Sequence, residues 1–490
     1  MRNKLLIISI LALILNACSK NFLDITPKTF VSSASFFQTE SDFTQALNGA
    51  YSSLRNLYSD AYVMGEMRSD NTHYYYKYND RGPQNVGKED VSGFVDNSIN
   101  AYSANKYYNC YLGISRVNAI LGRITGSAIS STVKDEITGE AKFLRAFFYF
   151  ELVQYYGDVP LHLTEVTAEG QTALPRTVKA DVYKQITTDV NDAITKLPTT
   201  QTNKGRVTKG SAKTLLAYVY MTLKQYAQAQ VQLTDVTGLG YSLLSDYASV
   251  FDTKNKNNKE SIFEIQYQQG NQGQQSTWTY QFIPALADTK YITSITGNNQ
   301  SFGGWNIPTD DLIATYENGD KRKDASIAMG YTDATGTFVT MPFVKKYLHT
   351  HSLFNNCDDD WMVYRYSDVL LLLAECLNEQ SKATEALPYL NQVRNRAGLG
   401  NTTETNQAAL RAIIAHERRV ELAFENHRWL DLVRTGQAIT VMNAFGAAMK
   451  LKHPDYLQAR TYNVTDNLLI FPIPQNEITL NPALTQNPGY

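Results

Sequence analysis

LLAYVYMTLKQYAQAQVQL, residues Leu215–Leu233, and LLAECLNEQSKATEALPYL, residues Leu372–Leu390, carry one pattern twice. Leu216, Ala217, Tyr220, Ala229 and Leu233 in the first answer to Leu373, Ala374, Leu377, Ala386 and Leu390 in the second, at a constant offset of 157. Alternating small and large residues at helical spacing is the signature of a tetratricopeptide pair, in which the small residues let two antiparallel helices approach closely. Neither copy ends in the repeat's proline, since Tyr241 and Gly398 stand there, and the copies are far apart in the chain. The pattern therefore predicts degenerate helical pairs and not a continuous solenoid.

Helical periodicity extends outward from these two stretches. It predicts further helices over 42–57, 104–123, 134–156, 179–196, 209–236, 361–379, 382–397 and 406–434. Two regions break the pattern. Residues 66–100 and about 240–360 lose helical periodicity, and 266–281 (QYQQGNQGQQSTWTYQ) hold seven glutamines. Long structured loops on a helical scaffold are where binding usually resides. No Pro- or Ser-rich linker divides the chain. Although 490 residues would allow three domains by length, residues 18–490 read as one domain with two insertions.

The chain is 43% hydrophobic and 19% charged, enough to bury a large core. Its net charge of −2 argues against nucleic acid, whose phosphates call for a basic face. Tyrosine is abundant, 32 against 20 Phe and 4 Trp, and an apolar ring with a wet hydroxyl suits a surface that holds polar ligands.

At the N-terminus, Arg2 and Lys4 precede an eleven-residue uncharged run, Leu5–Leu15. As a helix it reaches about 16 Å, half a bilayer core, which makes residues 1–17 a signal peptide and not an anchor. The run closes on Leu15-Asn16-Ala17-Cys18, which resembles a bacterial lipobox in which the cysteine is acylated, although Asn16 departs from the usual small or apolar residue. Cleavage ahead of Cys18 takes the mature chain to −4. Of the remaining cysteines, Cys110, Cys357 and Cys376, the odd count argues against a disulfide framework. Cys376 reads as a buried thiol, with a Cys357–Cys376 bridge as the lesser alternative.

Catalytic motifs are scarce. Gly82-Pro83-Gln84-Asn85-Val86-Gly87-Lys88-Glu89 follows a phosphate loop until Glu89 replaces the Mg²⁺-binding hydroxyl, and no apolar strand precedes it, so it reads as a Gly-rich loop. His349, His351, Cys357 and Asp358–Asp360 lack the spacing of a zinc or calcium site, so no metal or cofactor is expected. Residues 417–434 (ERRVELAFENHRWLDLVR) read as one helix pinned by ion pairs, with Glu425–Arg428 and Asp431–Arg434 at three-residue spacing.

Four segments together resemble the SusD/RagB family of outer-membrane lipoproteins. They are Asn21–Pro27 (NFLDITP), Arg145–Leu161 (RAFFYFELVQYYGDVPL), the charged stretch closing on Asp431–Gly436, and the ending Phe471–Ile478 with Asn481-Pro482 and Gln486–Tyr490. The resemblance implies an outer-membrane protein facing the cell surface, although few acids follow Cys18, a departure from many surface-exported lipoproteins. The resemblance implies a mainly α fold, tetratricopeptide-like pairs forming a right-handed α-α scaffold, overlain by an irregular loop-rich ligand-binding part. It implies no catalysis. It implies a lid on a SusC-type TonB-dependent outer-membrane transporter that captures an oligosaccharide or a peptide, held to the lipid membrane through acylated Cys18. The expected ligand contacts are Trp278 and Trp305, in amide-rich loops where a large ring has little reason to be buried, and Tyr74, Tyr75 and Tyr76. On a strand, Tyr74, Tyr76 and Tyr78 would share one face. Trp361 and Trp429 read as helical core. A protein-binding scaffold and a lipid-anchored glycoside hydrolase are the alternatives, the latter because two suitably placed carboxylates among 47 acids escape a sequence reading.

Overall fold

The computed structural model describes residues 36–297 and 300–490. The signal peptide, Cys18 and the extended tether to about residue 30 lie outside them. Numbering the helices of ten residues or more, the scaffold runs α1 (Glu40–Tyr58), α2 (Pro83–Ser92), α3 (Ala101–Ile124), α4 (Ser131–Tyr156), α5 (Lys179–Lys196), α6 (Lys209–Thr222), α7 (Tyr226–Thr237), α8 (Tyr366–Glu379), α9 (Ala383–Arg396), α10 (Gln407–Glu421) and α11 (Ala438–Lys452). Starts are capped by short polar side chains: the Thr39 hydroxyl accepts from Asp42 N while the Asp42 carboxylate accepts from Thr39 N. Asn100 and Asn406 cap α3 and α10 one-sidedly, each side-chain oxygen accepting from two N–H groups of the first turn.

α4 is the axis of the first half. It is buried nearly all round, with Phe143, Phe147, Phe148, Tyr149 and Tyr156 in the core. Gly113 on α3 makes room for it, since a Cβ there would lie 2.3 Å from the Phe148 ring. The Arg145 guanidinium grips both oxygens of Asp189 on α5, each at 2.8 Å.

The two copies of the repeated pattern are the pairs α6/α7 and α8/α9, with Ala217 and Ala374 buried where the helices close. The long stretch between them does not separate them in space. α8 packs directly on α7, so that α4 through α10 form one array and residues 238–365 leave it and return. The chain is thus no continuous solenoid, yet its separated pairs build one scaffold, because chain distance does not limit packing.

Three other expectations shift, and one helix had not been expected. The span 209–236 turns at Lys224, whose φ of +56° ends α6. Residues 361–379 open with a strand, so Trp361 is core but not helical. Gly82–Glu89 is no loop: Pro83 starts α2 and Gly87 is carried inside it. α11 lay hidden because its buried stripe of Ala438, Met442, Gly446 and Met449 is masked by Val441, Phe445 and Leu451 elsewhere on its surface.

The two insertions contribute three two-stranded sheets, all antiparallel. β1 (Thr72–His73) pairs with β3 (Ile307–Pro308), β2 (Ser261–Ile265) with β6 (Trp361–Arg365), and β4 (Ile327–Thr332) with β5 (Phe338–Val344).

What fastens this excursion to the helices is charge. α10 ends with Glu417 and Glu421 buried, and the backbone then breaks at Phe424 and Asn426, with φ of +70° and +73°. The Glu66 carboxylate accepts from both of those amides, at 3.0 and 2.9 Å. One long helix over 406–434 is therefore replaced by α10 and a short helix, Arg428–Arg434. With the helical register lost, Glu425 turns to Lys346 (2.8 Å) and Arg365 (2.7 Å), while Arg428 pairs with Asp70 (2.8 Å). Only the Asp431–Arg434 pair forms as expected, at 2.8 Å. Arg365 also reaches Glu421 (2.5 Å) and Glu260 (3.0 Å), and Arg322 binds Asp320, Glu417 and Glu421.

Burial alone would raise the carboxyls of Glu421, Glu425 and Asp431, but the adjacent guanidinium and ammonium groups hold all three below the ordinary carboxylate value. Groups of this kind bind fewer protons folded than unfolded. Their stabilisation is present in full above the unfolded-state pKa, declines below it and is lost as pH falls through the folded-state pKa. Glu66, pushed up to about 7 by burial, has the opposite sign, but its window lies above 4.5. The denaturation midpoint is expected to fall between about pH 5 and pH 3, followed by circular dichroism. Arg365→Gln leaves three buried carboxylates short of a partner and is expected to cost about 3–5 kcal/mol in chemical unfolding at neutral pH.

Candidate functional site

Pairing of β1 with β3 joins the two insertions. Tyr75 N donates to Gly304 O at 2.8 Å and continues that pairing past the strand ends. The loop 301–306 is then pinned from behind: Gly304 N donates to Ile283 O at 2.8 Å and Trp305 N to Gln281 O at 3.0 Å. Gly303 permits this approach, because a Cβ there would lie 1.9 Å from Ile283 O.

In front of the junction lies a cleft of about 860 Å³. One wall is the first turn of α2 with Lys77 and Asp80, and a second is Tyr102 and Asn105 on α3. Gln281, Gln300, Phe302 and Trp305 form the third. Five side-chain amides face it: Gln84, Asn85, Asn105, Gln281 and Gln300. A second hollow of about 310 Å³ continues along α3, sharing Asp60, Tyr102 and Asn105 and reaching exposed Tyr108. Together they make an elongated groove lined by paired donors and acceptors, with rings at intervals.

Its charges are unusual. The Lys88 side chain, on α2, is 6% exposed and its ammonium donates to Gln281 Oε1 at 2.9 Å. It lies 4.7 Å from the centre of the Trp305 ring, and Lys77 lies 4.9 Å from the same ring. Burial pushes the Lys88 ammonium down to about 7 and lowers Lys77 as well, while Asp60 is raised by its own burial.

The expected site residues divide. Trp305 lines the cleft, as its floor and nearly covered. Trp278 does not. It is wholly buried, edge-on to Tyr267 (4.7 Å) and Trp361 (5.2 Å), and the expectation of a free ring there is corrected. The ring is buried because the excursion packs onto the helices there, and Trp278 joins the same core as the helical residues. Tyr74, Tyr76 and Tyr78 do share a side. Tyr74 is buried, Tyr76 stacks on Tyr456 at 4.4 Å, and Tyr78 meets Tyr76 edge-on. Tyr75 turns the other way and donates to Pro342 O at 3.2 Å. None of the four lines the cleft; they brace the segment that carries Lys77.

Residues passed over in the sequence do line it: Lys77, Lys88, Tyr102, Asn105, Gln281 and Phe302. Lys88 had a signal, lying in the Gly-rich motif that matched no nucleotide site. The others look like any surface polar or aromatic residue until folded.

The metal-like cluster disperses. His349 pairs with Asp359 at 2.5 Å, His351 meets Tyr280 at 2.6 Å, and Asp360 accepts from Tyr267 N. Burial raises both members of a buried acid pair, Glu264 and Asp360, and the charge of Glu264 raises Asp360 further, to about 8. Both carboxylates are occupied with loop backbone, Glu264 with Asn257 N and Asp360 with Tyr267 N, and neither faces the cleft. Cys110, Cys357 and Cys376 are free and buried, so the alternative Cys357–Cys376 bridge does not form.

Comparison with known proteins places this helical array. A family model described as "SusD family" matches residues 330–490, and one described as "Starch-binding associating with outer membrane" matches 21–221. The chain belongs to the SusD/RagB family. SusD-like protein P2 of Formosa agariphila is 28% identical, over 98% of this chain and 98% of its own. The starch-binding protein SusD of Bacteroides thetaiotaomicron is 23% identical over 77% and 76%. A laminarin-binding SusD-like protein of known structure superposes with a TM-score of 0.78 at 27% identity, covering 93% of this chain and all of that one.

Trp278→Ala is expected to cost about 3–5 kcal/mol of stability, read as a lowered denaturant midpoint. Gly303→Ala is expected to cost about 1–3 kcal/mol, because its Cβ meets backbone, and to displace the Trp305 loop, visible as a changed tryptophan emission spectrum.

Proposed function

We propose that the chain is an outer-membrane binding lipoprotein that captures an oligosaccharide in the groove between α2, α3 and the loop at 301–305. One observation carries this: the groove is long, walled by five amides and edged by the rings of Tyr102 and Phe302. Sugars present apolar C–H faces that pack on aromatic rings, and hydroxyls that both donate and accept, which side-chain amides match. Phe302, half exposed, and Tyr102, whose hydroxyl donates to Gln84 O at 3.2 Å, are the rings free to receive a sugar face. Trp305 serves as the floor.

Names of similar proteins support a carbohydrate, since one is titled laminarin-binding and another starch-binding. The family model's wording supports the outer membrane. No helix among the described residues is long and apolar enough to cross a membrane, and the proposed attachment is acylated Cys18. In this reading the protein lids a SusC-type TonB-dependent transporter and performs no chemistry on the sugar.

Calorimetry against a panel of oligosaccharides is expected to give binding without released products. Phe302→Ala and Tyr102→Ala should each weaken it about tenfold, or about 1.4 kcal/mol, whereas Tyr75→Phe should leave it unchanged. Released sugars would sink the reading in favour of a hydrolase. Cys18→Ala is expected to move the protein from the membrane to the soluble fraction, and mild detergent extraction of the native protein to recover a large barrel protein with it.

A further inference from the structure

Nine Lys and Arg side chains are buried among the described residues, and eight of them sit within 4 Å of a carboxylate: Arg68, Lys106, Arg145, Arg322, Lys346, Arg365, Arg394 and Arg418. Lys88 is the exception. Its single hydrogen bond goes to the neutral Gln281 amide, and its other contacts are the rings of Trp305, Tyr62 and Tyr102 at 4.7–5.8 Å. An ammonium makes three donor bonds, so two of its N–H groups have no partner within the protein. Lys77, at the same ring-lined corner, donates only to Phe302 O, at 3.2 Å, and has no ion pair either. Asp60 and Asp80 line the cleft, but neither comes within ion-pair distance of the two ammoniums. Burying a cation without a partner is costly, and a fold that pairs the other eight does not lack acids to pair the ninth.

The first turn of α2 adds to this corner. Gly82, Pro83, Gln84 and Asn85 line the cleft, and the helix start carries partial positive charge. Both ammoniums lie within 5 Å of the centre of the Trp305 ring, so a ligand reaching the floor meets cations there as well as the ring.

We propose that the cleft takes an acidic carbohydrate, with a sugar carboxylate or sulfate ester seated between Lys77 and Lys88 over Trp305 and the neighbouring sugars running along Tyr102 and Asn105. This rests on the oligosaccharide reading above and narrows it. The overall charge of −2 does not oppose it, because the field that matters is that of a corner with two cations at its floor. The depressed Lys88 ammonium agrees, since a bound anion would restore its charge. Asp60 and Asp80 remain to accept sugar hydroxyls.

The test compares oligogalacturonate and sulfated galactan oligomers with neutral cello-, laminari- and malto-oligosaccharides of matched length, by calorimetry on the mature protein. At least one acidic oligomer is expected to bind, more tightly than any neutral one, and the uronate and sulfate arms show which anion is preferred. Lys88→Met and Lys77→Met should each weaken it about tenfold, and its affinity should fall with added salt. Lys88→Met strands no carboxylate, so its melting temperature is expected to hold or rise. A marked fall would make the ammonium a structural prop and overturn the proposal, while Lys77→Met, at the half-buried edge, reads the same site independently. Neutral oligomers bound as tightly as acidic ones, with both variants indifferent, would overturn it and leave the oligosaccharide reading standing. Failure to bind any of these sugars would sink both.

Discussion

Arg365 holds the molecule together. It sits at the end of β6, 1% exposed, with Glu260, Glu421 and Glu425 around its guanidinium. Glu260 immediately precedes β2, Glu421 ends α10, and Glu425 follows the backbone break. Arg322 and Lys346 bring in the far side of the excursion, and Arg396 binds Glu260 and Glu421 from α9. Such a network is not an efficient source of stability, because several charges must first be stripped of water. It is a source of geometry. Each partner removed leaves a charge buried alone, so the excursion can dock on the helices in only one arrangement.

That constraint reaches the cleft through the same break in the chain. Glu66 holds Phe424 and Asn426 in left-handed conformations, and Asp70, four residues on, binds Arg428 and Arg419. The segment 66–71 is thus fixed before β1 begins, and β1 in turn sets β3 and the loop that carries Trp305. The binding groove has no element of its own. It is the gap left where two insertions, each anchored to the helices by charge, meet along a two-residue ladder.

The helical frame was readable because it obeys a period. Small and large residues at fixed offsets mark α6 to α9, and the dense aromatic run from Phe143 to Tyr156 marks a helix buried all round. The groove was not readable, because a side chain's role there depends on which segments become neighbours. Trp278 and Trp305 stand in similar amide-rich loops, yet one is core and the other floors the cleft. Lys88 lay in a motif that failed as a phosphate loop, and only its placement beside Gln281 and Trp305 gives it a role. Glu425 and Arg428 matched helical spacing, but a carboxylate hundreds of residues away broke that helix.

Periodicity and composition by themselves determined a mainly α scaffold, paired helices, two loop-rich insertions and a family resemblance carried by four segments. These are local properties, set by which residues recur at 3.6-residue spacing and which small residues let helices close. Tertiary structure decided the rest: that distant repeats stack into one array, that the tyrosines of 74–78 brace and do not line, and that one buried lysine is left without a carboxylate. Those outcomes are long-range pairings. A buried charge or ring takes its meaning from what is packed against it, and packing exists only once the chain has closed.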